Sequence, residues 1–307
     1  MTSTYNAGVH RFAVFTVCWT ILLFVAGALV TSKDAALSVT DWPKSHGAWV
    51  PSLSMLQGGD LFEFSHRVFA GGLGILVLVL AVLLWVKESR VWLRWLGFVA
   101  VLGVAVQAIL GGQVVIRLLH YWLPVIHACF AQIVFGAVLG IAVFTSKWWV
   151  SEQPQLEDSG SPSIHSVAIL NAAVIYFQVI LGAGFRHKDI PIWPHMAGAL
   201  LVLGMVIWTT VALRKRFAQS RELSKARILL HAIFGTQFLL GLAAYWSRLT
   251  TADAPQPMPV MVTLTVIHTV IGALLFAFSV LIVLMCYRLI PRGREVAATA
   301  PRQVTTV

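Results

Sequence analysis

The sequence predicts an all-α integral membrane protein whose eight transmembrane helices form two parallel-repeat four-helix bundles. Three observations predict it. Hydrophobic residues fill 58% of the 307 positions and charged residues only 11%, too apolar for a water-soluble domain of this length. Eight separate apolar runs are each long enough to cross a hydrocarbon core, which takes about 20 residues per helix. The same short motifs return in alternate runs, as they do in duplicated membrane folds.

The runs cover residues 12–30, 64–86, 95–115, 123–145, 164–184, 193–213, 228–246 and 260–287. None alternates apolar and polar positions as a barrel strand would, so helices are what remains to satisfy backbone groups in lipid. The basic residues sort by side. With the N-terminus inside, 15 of the 22 Lys and Arg fall in inner segments, Arg292, Arg294 and Arg302 among them. The outer segments hold the other seven: Lys33, Lys44, Arg67, Arg117, Arg186, Lys188 and Arg248. The positive-inside rule then puts both termini in the cytoplasm, and a net charge of +10 spread in this way suits a lipid bilayer and not nucleic acid. Cys18, Cys129 and Cys286 lie inside separate runs, which suits packing and suggests neither a disulfide nor a CxxC metal site. Only eleven residues precede the first run, with no Arg-rich leader and no small-residue cleavage site. A retained first span in a prokaryotic plasma membrane is expected.

The repeat is legible in both odd and even spans. Gln107-Ala108-Ile109-Leu110-Gly111, Gln178-Val179-Ile180-Leu181-Gly182 and Gln237-Phe238-Leu239-Leu240-Gly241 occupy the third, fifth and seventh. The first ends similarly at Val25-Ala26-Gly27-Ala28, without the glutamine. Each even span opens with a histidine, His66, His127, His195 or His268, followed by a small-residue segment that contains Gly71, Gly136, Gly198 or Gly272. A four-helix unit used twice accounts for this. Its halves share one orientation, so they are related by an axis along the membrane normal. Residues 1–150 form the first half, 151–163 a cytoplasmic linker and 164–307 the second half.

Four histidines at equivalent intramembrane positions point to function, because ionisable groups are costly there, and neutral imidazole is a common haem ligand. The repeat pairs His66 with His127 and His195 with His268, each pair clamping one porphyrin between helices toward the extracytoplasmic side. His10, His165 and His231 at inner helix ends, and His46, His120 and His187 in outer loops, read as structural or interfacial. Arg117, Arg186 and Arg248 follow the third, fifth and seventh spans on the haem side, where a guanidinium can hold a propionate through two parallel bonds; snorkelling to the headgroups is the alternative. Glu63 breaks the symmetry. It shares a helical face with His66 at i,i+3, whereas Pro124, Ile192 and Thr265 stand at the equivalent places. The half with the acid is therefore expected to do substrate chemistry and the other to hold a permanent cofactor, with a plain Glu63–Arg67 ion pair as the structural alternative. A di-iron carboxylate site would want a second Glu-x-x-His, which is missing.

Glu63-Phe64-Ser65-His66-Arg67 resembles the Glu-x-x-His-Arg signature of the heme A synthase family. Gly27-Ala28-Leu29-Val30-Thr31, then Asp41-Trp42-Pro43, is similar to that family's first outer loop, and the other three histidine segments match its pattern over nearly the whole chain. The resemblance implies an enzyme that oxidises the C8 methyl of haem O to a formyl group by successive hydroxylations, giving haem A for terminal oxidases. It further implies that His195 and His268 ligate a resident haem b, that His66 and His127 flank the substrate haem, and that Glu63 serves the chemistry. A haem O synthase and an electron acceptor are the partners expected. Residues 31–61 contain no cysteine, unlike many bacterial members with a cysteine pair in that loop, so a loop disulfide or thiol relay is excluded. The residues alone also allow a di-haem b-type cytochrome for quinone-linked electron transfer, or a transporter without cofactor.

Overall fold

The computed structural model describes residues 5–120 and 122–291; Arg292, Arg294 and Arg302, counted above for topology, lie outside the described residues. Eight long helices are each long and apolar enough to cross a membrane. They are α1 (Ala7–Ser32), α2 (Gly59–Lys87), α3 (Val91–Ile116), α4 (Leu123–Phe144), α6 (Ile164–Arg186), α7 (Ile192–Arg216), α8 (Arg221–Thr250) and α9 (Pro259–Leu289), with a single turn, α5 (Lys147–Val150), between the halves. No strand forms among the described residues apart from one bridge between Ser45 and Ala48.

All the long helices but α4 outrun the apolar runs that announce them. Hydropathy marks the lipid-embedded part, whereas a cap decides where the helix ends in water. Asn6 accepts from the Val9 N–H at 3.1 Å to start α1, and Ser220 accepts from the Leu223 N–H at 3.3 Å to start α8 seven residues before its apolar run. α1, α3 and α6 all end in the same turn. Asp34, Leu118 and Lys188 take positive φ (51°, 52° and 68°), and the N–H groups of Ala35, Leu119 and Asp189 reach back to the carbonyls of Val30, Val114 and Gly184 at 2.9 Å. This is a Schellman-type cap, and its recurrence gives the loops on this side a common exit geometry.

Within residues 7–144, α1, α2, α3 and α4 each pack on the next and α4 closes back onto α1; α6, α7, α8 and α9 do the same. α9 bears on α1 and α4, and α4 also touches α6, an arrangement compatible with two like-oriented four-helix units. The two largest buried apolar clusters, around Leu80, Leu93 and Ile141 in one half and around Ile175, Val206, Leu230 and Ile282 in the other, lie toward the end at which α1 begins and α9 finishes. Large apolar side chains such as Ile109 on α3 and Leu239 and Trp246 on α8 face outward, as a lipid solvent allows. The histidines of the even spans lie toward the opposite end, near the starts of α2, α4, α7 and α9.

Candidate functional site: four histidines seated on four glycines

Each of the four repeated histidines lies against a glycine of the preceding odd span. An ideal Cβ on Gly27 would lie 3.1 Å from Cε1 of His66, and one on Gly111 would lie 3.1 Å from Cε1 of His127. On Gly182 and Gly241 it would lie 2.9 Å from Cε1 of His195 and His268. A Cβ would crowd the imidazole at each seat, most at Gly182 and Gly241, so the glycine serves close approach and not backbone freedom.

One turn before three of these glycines comes the repeated glutamine, which reaches the same histidine. Gln107 Nε2 donates to the His127 carbonyl at 3.1 Å, and Gln178 Nε2 donates to the His195 carbonyl at 2.8 Å while lying 3.0 Å from His195 Nδ1. At the fourth seat the Gln237 backbone carbonyl, which can only accept, lies 3.2 Å from His268 Nδ1. The proton therefore sits on Nδ1 and the lone pair on Nε2, as a metal-binding imidazole requires. Gln237 Nε2 lies 3.2 Å from that lone pair. α1 carries Leu23 where the others carry glutamine.

Several polar atoms at these seats are buried and without partners: Nδ1 of His66 and His127, and Oε1 of Gln107, Gln178 and Gln237. Buried polar groups normally find partners. Such a concentration suits a site completed by a bound group. The rings of His195 and His268 have centroids 6.3 Å apart and stand at 86°. A metal bound to both through ~2.0–2.1 Å bonds, with ~1.1 Å from each nitrogen to its ring centre, needs about 6 Å between centroids. Among the described residues no three or more His, Cys, Asp or Glu gather as a bare ion would need. Two imidazoles suffice when the bound group brings its own equatorial nitrogens, so the residues fit a haem. His66 and His127 are close enough to interact electrostatically.

Glu63 is 3% exposed and both its oxygens are engaged. Oε1 pairs with Arg67 at 2.6 Å, and Oε2 accepts the Val39 N–H at 2.9 Å. Arg67 also donates to the carbonyls of Val39, Asp41 and Lys44 at 3.0, 2.8 and 2.7 Å and to Ser45 Oγ at 3.2 Å. The ion pair thus fastens the first interhelical loop onto α2 one turn from His66. Asp41 shapes that loop by accepting the N–H groups of His46 and Gly47 at 2.9 and 2.8 Å, and the Trp42 ring covers Gly112 of α3.

The Gly47 amide, more than any other group, holds the Asp41 carboxyl below its ordinary value of 3.8; the His46 amide and Arg67 add to this, and burial opposes it. A carboxyl with a depressed folded pKa stabilises the fold above its unfolded value and ceases to as pH falls through the folded one. Amide protection over residues 41–48 is therefore expected to drop below about pH 4 in a hydrogen-exchange series, and Asp41→Asn to remove that pH dependence.

The three arginines are not equivalent. Arg117 donates to Gln113 on its own helix at 2.8 Å, and Arg248 lies over the Phe185 ring at 5.3 Å, whereas Arg186 turns inward to α1 and α9. Of the other histidines, His10 bonds the Ala142 carbonyl, His165 the Ile290 carbonyl, His231 the Arg227 carbonyl of its own helix, and His46 pairs with Asp60. His187, read from the sequence as a loop residue, lies within electrostatic reach of Arg186 and His127; burial first, then those two neighbours, pushes its pKa down to about 4. The seating glycines and their glutamines are the site residues that sequence reasoning left without a role, although the Gln-x-x-x-Gly spacing carried the signal.

The chain is thus an eight-span helical membrane protein with histidines packed between its helices toward one end of them. It belongs to the cytochrome oxidase assembly protein family, whose model matches residues 10–200 and so includes Glu63, His66, His127 and His195. The resemblance to heme A synthases read from the sequence is borne out by curated relatives of that name. The heme A synthase of Lysinibacillus sphaericus is 24% identical, with 95% of this chain and 97% of the relative covered. That of Bacillus pumilus is 26% identical with 79% and 87% covered, and that of Listeria welshimeri 29% identical with 61% and 62% covered.

Proposed function

We propose that this chain is a heme A synthase, a membrane oxidoreductase that oxidises the C8 methyl group of haem O to a formyl group and so makes haem A for terminal oxidases. The observation that carries this reading is the fourfold Gly–His seat with Glu63 at one seat only. Equivalent histidine pairs suit two haems, and a single acid suits one of them as substrate. His195 and His268 would hold a resident haem b in the second half, residues 164–307; the 6.3 Å ring separation and the His268 tautomer support this pair as the residues that hold it. Binding at His195 Nε2 places the ring proton on Nδ1, and a turn of the Gln178 amide lets its unpartnered Oε1 accept it.

His66 and His127 flank haem O in the first half, residues 1–150, with residues 151–163 as linker. Glu63 accepts protons as the methyl is oxidised or stabilises positive charge there, and its tie to Arg67 and Val39 fixes where the carboxylate stands. The loop fastened by Arg67 limits water at that end. Arg186 receives a propionate, and Arg117 and Arg248 supply positive charge at the rim. The resident haem supplies one-electron redox chemistry toward an acceptor. The protein spans a prokaryotic plasma membrane with both termini cytoplasmic and the haem sites toward the outer face, which agrees with the basic-residue count, and receives substrate from a haem O synthase.

Expression with a haem O source, followed by extraction and chromatography of haems, tests the reading. Haem A or its hydroxylated precursor is expected; unchanged haem O refutes it and favours the di-haem cytochrome. Glu63→Gln should keep the haem b spectrum and stop conversion, whereas His195→Ala or His268→Ala should lower bound haem b. Full conversion by Glu63→Gln removes Glu63 from the chemistry.

A further inference from the structure

Arg186, the last residue of α6, reaches from one histidine pair toward the other. One guanidinium nitrogen donates at 2.8 Å to Oγ1 of Thr269, the residue after His268. The other donates at 2.8 Å to the Ala28 carbonyl and at 2.8 Å to Ser32 Oγ on α1, where Ala28 follows the glycine that seats His66. His268 lies within electrostatic reach of this guanidinium, as does His187, which in turn is within reach of His127. All three acceptors are neutral, and none of the ion pairs among the described residues includes Arg186. A partly buried guanidinium without a carboxylate keeps its field unscreened over a longer range than one at the surface.

We propose that Arg186 is a positioning residue that couples the two histidine sites electrostatically, its braced positive charge favouring the reduced state of the haem held by His195 and His268. The inference rests on the reading of those two histidines as haem ligands. Reduction adds one electron to a ferric iron and breaks no bond, so a fixed cation nearby favours the ferrous product by Coulomb attraction alone. A propionate held by the same guanidinium leaves the sign unchanged, because removing Arg186 then exposes the iron to an unbalanced carboxylate. Thr269 and Ala28 make the charge common to both sites, since the bonds that aim it come from α9, which carries His268, and from α1, whose Gly27 seats His66.

The test is a potentiometric titration of the purified, haem-loaded full chain in detergent, read from its visible absorption. Arg186→Met, which replaces the cation by an apolar chain of similar length and so need not unfold the protein, is expected to lower the reduction equilibrium constant at least tenfold, about 59 mV for a one-electron couple. Arg186→Lys should stay within about threefold of the unaltered protein, because the charge remains. A haem-loaded Arg186→Met protein that titrates like the unaltered one overturns the coupling, as does an equal shift in both variants. If Arg186→Met elutes as a folded protein without haem, retention of haem by Arg186→Lys supports the role of charge, and loss from both overturns it. An unaltered protein without a Soret band, or a Soret band that His268→Ala leaves undiminished, overturns the haem reading and the coupling with it. A haem-bearing unaltered protein with an unmoved variant overturns the coupling alone.

Discussion

Gly241→Val and Gly182→Val are expected to strip the haem proposed for the second half from an otherwise folded protein. A Cβ at either position already lies 2.9 Å from the Cε1 atom of His268 or His195, closer than side chains pack, and the two further methyl groups of valine leave the imidazole no seat. Overpacking of this kind costs about 1–3 kcal/mol when the neighbours can yield. Here the neighbour is a proposed haem ligand, so the cost is expected to fall on haem affinity, about tenfold for each 1.4 kcal/mol. Gly241→Ala and Gly182→Ala should show a graded loss. Gly235→Ala, with nothing within 4 Å of the new methyl, should be neutral or stabilise α8 by about 0.5–1 kcal/mol through helix propensity. The ratio of Soret to protein absorbance after purification measures all five variants. A full haem complement in both valine variants would mean that these imidazoles do not hold it.

Arg67→Met is expected to destabilise the first half by about 3–5 kcal/mol, the cost of leaving one member of a buried ion pair alone. It removes the 2.6 Å partner of a carboxylate that is 3% exposed, and with it four hydrogen bonds to residues 39–45. Amide exchange should accelerate over that segment, and haem O conversion should be lost while the spectrum of the haem in the other half is kept. Arg67→Lys should rescue only part of the protection, since an ammonium cannot span five acceptors in a fixed fork. Unchanged exchange at Val39, whose N–H is bonded to Glu63, would show that the loop is held by something else.

These two variants also mark where sequence reasoning stops. The motif Glu63-x-x-His66-Arg67 was visible, and so was the option of a Glu63–Arg67 pair at i,i+4. That Arg67 also donates to three carbonyls 23 to 28 residues away was not, because those acceptors are backbone atoms that any residue type supplies. The glutamines before Gly111, Gly182 and Gly241 were likewise visible as a repeat without a role. The role depends on which histidine the neighbouring helix presents at their depth. Arg117, Arg186 and Arg248 looked alike because each ends an odd span; only the rotation of each helix end about its axis separates the arginine that faces inward from those that bond their own helix or stack on an aromatic ring.

The sequence by itself determined that the chain is helical and spans a bilayer eight times, that its halves repeat, and that one histidine recurs at the start of every even span. These are periodic, local quantities, readable from run length, spacing and residue type, because lipid imposes the same requirement on every span. Only the tertiary structure decided that each of the four histidines rests on a glycine, that His268 presents Nε2 as its lone pair, that Arg67 ties down a loop and that Arg186 bonds both α1 and α9. Those facts depend on how the helices are turned against one another, and that rotation is set by packing among residues far apart in the chain.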